Sequence, residues 1–259
     1  MSPFCQRSAG THCLKKLRRA LTHLGLGLSA LVSMADTSAA PFEDSMAQRV
    51  LACTGCHGAQ GRSAPDGYYP RIAGKPAGYL HHQLQNFRDG RRLYGPMARL
   101  IEPLDDRYLR DISEHFESLD LPYAAPPASD APGVLLAQGR SLALHGDAAR
   151  QLPACAACHG PALTGVAPSI PGLLGLPRDY LLAQIGAWRT GSRHAHAPDC
   201  MARVARRLAP DDVTAISHWL ASQPVPVGSR PLPSVAALPA PIPLECGGVV
   251  AEPKAVSKP

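Results

Sequence analysis

Two short runs, Cys53-Thr54-Gly55-Cys56-His57 and Cys155-Ala156-Ala157-Cys158-His159, stand 102 residues apart in a chain of 259. Each reads C-x-x-C-H, the spacing used for covalent attachment of c-type haem. Two thiols three residues apart lie near one face of a helical turn, so both reach the vinyl groups of one porphyrin. The His that follows sits a turn beyond the first Cys and can present an imidazole nitrogen to iron. Two copies imply two haems, and two haems imply electron traffic. The competing reading of four paired cysteines is a thiol redox pair or an all-thiolate zinc site. It is disfavoured because His follows each pair at once and the pairs lie too far apart for a compact zinc knuckle.

A chain of this length has room for two small cores rather than two large ones. Aromatic residues make up only 5% of it, and a buried haem in each half would supply the missing apolar surface. Residues 1–40 read as a secretory signal. Lys15, Lys16, Arg18 and Arg19 form its basic region, an apolar stretch runs from about Ala20 to Val32, and small residues continue to Ala40. Cleavage is expected near Ala39 or Ala40, with Ala35 as another site. The apolar run is short for a membrane anchor. The formal charge of +6 falls to +2 without the leader, which holds five basic residues and one acid. Haem propionates would lower it further. No basic face with interleaved aromatics is present, which argues against nucleic acid as a partner.

The two halves repeat one another. At an offset of 101, Pro70-Arg71-Ile72-Ala73-Gly74 matches Pro171-Gly172-Leu173-Leu174-Gly175, and Tyr79, Gln83, Phe87 and Arg92 match Tyr180, Gln184, Trp188 and Arg193. At an offset of 104, Met97 matches Met201 and Ile112 matches Ile216. In each unit a short helix is expected to lead into C-x-x-C-H (about Glu43–Cys56 in the first). A Gly/Pro-rich loop, a middle helix over about Pro76–Gly90 and a loop carrying the Met follow. The last helix is expected to open at Asp105-Asp106, or at Pro210-Asp211-Asp212, with Leu109, Ile112, Phe116 and Leu119 as its buried stripe in the first unit. The organisation read from this is a signal over 1–40, units over 41–122 and 133–223, a Pro-rich linker over 123–132, and a Pro-rich extended or disordered tail over 224–259.

An electron-shuttling iron needs a second axial ligand. Met97 lies 40 residues after His57 and Met201 lies 42 after His159. A thioether favours reduced iron and raises the potential. Met as core filler is the bland alternative, but two of five methionines occupy matching repeat positions. His81, His82, His194 and His196 lack counterparts in the other half, and His196 is the remote alternative ligand. Cys200 directly precedes Met201. It could pair with Cys246, stay free, or replace Met201 on the iron; an oxidising compartment favours the disulfide. Pro65 and Pro168 are candidates to accept the ring N–H of the haem histidines through their carbonyls. Arg88, Arg92, Arg189 and Arg193 face either propionates or solvent.

The two C-x-x-C-H-G signatures, P-x-[IL]-x-G followed by Y-L-x-x-Q-[LI]-x-x-[FW]-R-x-G-x-R, the Met segment and the Asp-Asp helix start together resemble the dihaem cytochrome c4 family over residues 43–223. The resemblance implies an all-α fold of two tandem class I cytochrome c domains about a pseudo-two-fold, with propionate edges facing. It implies two covalent haem c groups, with His57 and Met97 on one iron and His159 and Met201 on the other. It further implies a periplasmic electron carrier between a respiratory donor, such as cytochrome bc1 or a dehydrogenase, and a terminal oxidase, with membrane association only through those partners. Cys200, Cys246, the Pro-rich tail and Gly-Pro-Met-Ala around Met97 depart from the family pattern. They keep two other readings open: a cytochrome subunit of a dehydrogenase, and a sulfur-oxidising dihaem enzyme similar to thiosulfate dehydrogenases, with Cys200 at the second haem.

Overall fold

A computed structural model describes residues 44–64 and 67–249. The expected leader, Glu43 and Pro65 lie outside the described residues. Helices dominate: α1 (Met46–Arg49), α2 (Leu51–His57), α3 (Ala77–Arg88), α4 (Gly95–Ile101) and α5 (Asp106–Ser118) in the first half. The second half contains α6 (Gly133–His145), α7 (Ala156–His159), α8 (Arg178–Thr190), α9 (Cys200–Arg207) and α10 (Pro210–Ser222). A two-residue antiparallel pair, β1 (Gly165–Val166) and β2 (Ile170–Pro171), lies between α7 and α8. Among the described residues no helix is long and apolar enough to cross a membrane.

Local chemistry sets the helix limits. The Asp105 carboxylate accepts the Tyr108 amide at 2.8 Å and caps α5, satisfying one of its orphan N–H groups. Leu109, Ile112 and Phe116 then recur at helical spacing and are buried, while Leu119 has become the C-cap. In α10, Pro210 occupies the first turn and Val213, Ile216, Trp219 and Leu220 form the buried stripe. Gly58 (φ 75°) and Gly160 (φ 84°) follow His57 and His159 and end α2 and α7 in a conformation other residues seldom adopt.

The two halves are less alike at their starts than the repeat suggests. In the first, α1 and α2 run almost directly into the cysteine pair, broken only at Val50. In the second, α6 stops at His145 and a ten-residue irregular stretch precedes α7. The methionines also sit inside short helices rather than loops. Pro96 in the first turn helps start α4, and Asp199, accepting the Ala202 amide at 2.9 Å, caps α9.

Residues 224–249 are not a loose tail. Leu232 pairs with Val166, its N–H and C=O meeting Gly165 and Ala167 at 2.9 and 2.8 Å. Leu238, Val235, Ile242 and Val249 pack with Val166 and Ile170 in a small separate core. Proline-rich chain lacks helical period, yet it keeps enough apolar side chains to bury.

Asp212 ties α10 to the rest of the second half. It is buried and accepts Arg150 at 2.5 Å, Gln138 at 3.0 Å and the Ala209 amide at 2.9 Å. Burial pushes its carboxyl up, but Arg150, Ala209 and Gln138 together outweigh this and hold it below the ordinary value. Asp212→Ala is expected to cost about 2–4 kcal/mol, between a lost cap and a fully buried broken ion pair, because Arg150 remains partly exposed. Since the folded-state pKa is depressed, this stabilisation is present above about pH 4 and is lost as pH falls through the folded-state value. Urea unfolding of wild type and variant at pH 7 and pH 3 measures both effects.

Candidate haem sites and the interface between them

A continuous cavity of about 540 Å³ runs through both halves. In the first half α2 supplies Cys53 and His57, and α4 supplies Met97. In the second, the α7 turn supplies Cys155, Cys158 and His159, and α9 supplies Met201. Cys56 is exposed and does not line the cavity. Burial pushes the Cys155 thiol up to about 11 and raises Cys53 as well.

Both histidines are buried, and each is oriented by one carbonyl. His57 Nδ1 lies 2.8 Å from the Pro70 oxygen, and His159 Nδ1 lies 2.7 Å from the Pro171 oxygen. Donation from Nδ1–H fixes the ring and leaves Nε2 free to bind a metal. Burial lowers both imidazole pKa values, against the carbonyls, which raise them. The acceptors are therefore the prolines that open P-x-[IL]-x-G; Pro168 is not one of them, and Pro65 lies outside the described residues. The Pro168 carbonyl instead accepts the Tyr79 amide of α3 at 3.0 Å, joining the halves. Gly78 makes that approach feasible, since a Cβ there would lie 2.7 Å from the Pro168 oxygen.

The junction repeats across a local two-fold. Arg92 and Arg193 form an antiparallel bridge. Gln83 accepts from Arg92 at 3.1 Å and from Arg193 at 2.8 Å; Gln184 accepts from the same pair at 2.6 and 2.8 Å. Arg92 also donates to Tyr180 at 3.0 Å. Each guanidinium lies over an aromatic ring, Arg92 over Phe87 and Arg193 over Trp188. Arg88 and Arg189 do not join them. Arg88 pairs with Asp106 at 2.8 Å, and Arg88 and Arg189 donate to equivalent carbonyls, Leu104 and Leu208.

The cavity fits haem on its own chemistry. Its walls are largely apolar, yet Arg92, Arg193 and the buried Lys75 reach it with only neutral partners among the described residues. Burying cations without anions is costly, and haem propionates would supply the missing charge. Trp188 Nε1 and Ser169 Oγ are buried at the cavity wall with no partner among the described residues. Lys75 Nζ donates to the Gly172 carbonyl at 3.0 Å. Burial, with the neighbouring Arg71, brings its ammonium down to about 7.

Cys200 and Cys246 are joined by a disulfide with Cα atoms 5.1 Å apart. It fastens the tail beside Met201, and Ile242, Leu244 and Val249 complete the cavity wall there. His196 also reaches the wall, its ring 5.2 Å from that of His82 and its Nε2 buried without a partner. Nothing in the sequence marked Lys75 or the Tyr79–Pro168 contact. The lack of symmetry at Lys75, matched by Leu176, was the signal available for the first.

A family model described as Cytochrome c matches residues 46–106. A cytochrome c4 of Pseudomonas aeruginosa is 32% identical over 199 residues, covering 76% of this chain and 94% of that protein. The chain belongs to the dihaem cytochrome c4 family. Members carry two covalently bound haem c groups and transfer electrons, and this cytochrome is a dihaem electron-transfer protein. The crystal structure of reduced cytochrome c4 from Pseudomonas stutzeri superposes with a TM-score of 0.59 at 30% identity, covering 68% of this chain and 95% of that one. A thiosulfate dehydrogenase electron acceptor of Thiomonas intermedia is 36% identical over 209 residues, covering 81% of this chain and 93% of that protein.

Proposed function

We propose that this cytochrome is a periplasmic electron carrier. It accepts electrons from a dehydrogenase acting on a reduced sulfur compound of the thiosulfate class and delivers them to a further respiratory acceptor such as a terminal oxidase. His57 with Met97, and His159 with Met201, are the axial pairs, and residues 41–122 and 133–223 are the two haem domains. The observation that carries this reading is that each half brings its own His and Met to one cavity, while Cys200 is held in a bond to Cys246. Both irons are then coordinatively filled, which suits electron transfer and leaves no place for substrate. The likeness to a protein named for accepting electrons from thiosulfate dehydrogenase supports the donor class. The expected leader at 1–40 supports export.

Bound haem supplies a one-electron ferric/ferrous couple. The chain's residues keep that couple fast and reversible. Pro70 and Pro171 hold the imidazoles in one orientation, so the ligand set has little to rearrange. Apolar walls keep water from the ligands. Arg92 and Arg193, both at the junction, would hold haem propionates there.

Stopped-flow mixing with a thiosulfate dehydrogenase and thiosulfate tests this. Reduction of the cytochrome is expected only when the dehydrogenase is present, with no oxidation of thiosulfate by the cytochrome alone. Rapid reduction by thiosulfate without the enzyme would make the chain a sulfur-oxidising catalyst instead.

A further inference from the structure

The methionine sides of the two sites are built differently. In the first half Met97 packs with Phe87, Tyr94, Ile101 and Leu109, all from its own half. In the second half the repeat puts Ala195 in place of Tyr94 and Ala205 in place of Ile101, so the chain beside Met201 offers less side-chain volume. The tail makes up the difference: Ile242, Leu244 and Val249 line the cavity together with Ala195, Met201 and Ala205. This covering segment is held at few points. Leu232 makes the last backbone bonds to the small strand pair, and Leu238 is the last tail side chain buried in the small core. Beyond Leu238, among the described residues, one backbone hydrogen bond reaches the body of the chain, from the Gly247 amide to the Pro198 carbonyl at 3.0 Å. Gly247 lies so close to the Ala197 carbonyl that a Cβ would not fit. One residue away, the Cys200–Cys246 bond joins the segment to the first turn of α9, directly before Met201. Both cysteines are partly exposed, so the bond is within reach of a thiol in solution.

We propose that residues 239–249 form a lid over the methionine side of the second haem site, and that the Cys200–Cys246 bond is its latch, opened by thiol–disulfide exchange with a dithiol. One thiolate of the dithiol attacks one latch sulfur, breaks the S–S bond and releases the other cysteine as a thiolate. The second sulfur of the dithiol then closes a disulfide on the first and releases the remaining cysteine. Two electrons and two protons thus pass from the dithiol to Cys200 and Cys246. A cross-link holds a segment by removing its open states. With the cross-link cut, one hydrogen bond and the partial burial of Ile242 and Val249 remain. The segment then swings out beyond Leu238, and a small neutral ligand such as imidazole gains access to the place of Met201. Latched, the protein is a closed carrier at both sites. Unlatched, it takes a ligand at the second site alone, because the wall beside Met97 comes from its own half.

The inference rests on the reading of Met201 as an axial ligand, so the near-infrared methionine bands of the full-length dihaem protein are recorded first. The ferric protein is then titrated with imidazole, each haem being followed by its own haem-methyl NMR signals. Two unlatched forms are compared with untreated wild type. One is the double variant Cys200→Ala with Cys246→Ala. The other is wild-type protein reduced with dithiothreitol, capped with iodoacetamide and reoxidised with ferricyanide, which requires no variant to fold. Capping also keeps the freed Cys200 off the iron. If the latched site is open no more than about a tenth of the time, unlatching raises the apparent imidazole affinity of the second haem about tenfold or more. The first haem is expected to keep its affinity. One of the two methionine bands should then vanish at an imidazole concentration that leaves untreated wild type unchanged. An unchanged affinity of the second haem in either unlatched form, or an equal rise at both haems, would overturn the lid while leaving the ligand assignment intact. Absence of a methionine band from untreated wild type before imidazole is added would overturn the ligand assignment itself.

Discussion

Replacing Cys155 and Cys158 together by alanine is expected to reduce the haem bound per chain from two to one and to unfold much of the second half. The reason lies in what surrounds the cavity there. Leu181, Leu208, Ile216 and Leu220 are buried in one cluster, with Cys155, Leu173, Leu176, Ile185 and Val204 packed against it, and most of these side chains also line the cavity. Without a covalently held porphyrin they face a void, and interiors tolerate voids poorly, at roughly 20–30 cal/mol for each Å³ left empty. The cations at the junction would also lose their anions. The first half builds its own clusters around Val50, Leu80, Ile112 and Phe116, so the single remaining haem should report from there. A pyridine haemochrome gives the count, and far-UV circular dichroism gives the helix lost. Retention of two haems in the double variant would contradict the attachment assignment.

The second large effect is expected from the methionines. Met97→Ala and Met201→Ala should each abolish one of the two weak methionine-to-ferric-iron bands in the near infrared. Each should also lower one potential by well over about 59 mV, more than a tenfold shift in a one-electron equilibrium. The cause is ligand softness, since a thioether favours the ferrous ion and water or a vacant site does not. The two variants should act on different haems. Met97 packs beside Phe87, Ile101 and Leu109 in the first half, whereas Met201 lies next to the disulfide-bonded Cys200. A variant that changes neither band nor potential would return that methionine to a packing role.

Much of this arrangement was legible because local chemistry and global packing agree. Asp105 read as a helix start, and the periodic Leu109, Ile112 and Phe116 read as a buried face. The haem signatures are dictated by covalent reach, which is a short-range matter. What the chain hid depends on distances across loops. The eight or nine residues from His57 to Pro65, or His159 to Pro168, do not fix where a carbonyl points. The acceptors proved to be Pro70 and Pro171, although both stood in the repeated P-x-[IL]-x-G motif. The tail offered no period, so its order could not be read; pairing of Leu232 with Val166 and a handful of apolar contacts decide it. The four repeated arginines looked equivalent, but Arg88 has Asp106 within reach on its own surface, while Arg92 and Arg193 have each other across the junction.

The chain is expected to carry two haems, each iron filled by a histidine and a methionine. Visible and near-infrared spectra of the purified ferric protein, scaled by a pyridine haemochrome, test it most directly. Two c-type haems and a methionine-to-iron band of an intensity that requires both irons are expected. One such band together with a thiolate-type spectrum would put Cys200 on the second iron and contradict the carrier assignment.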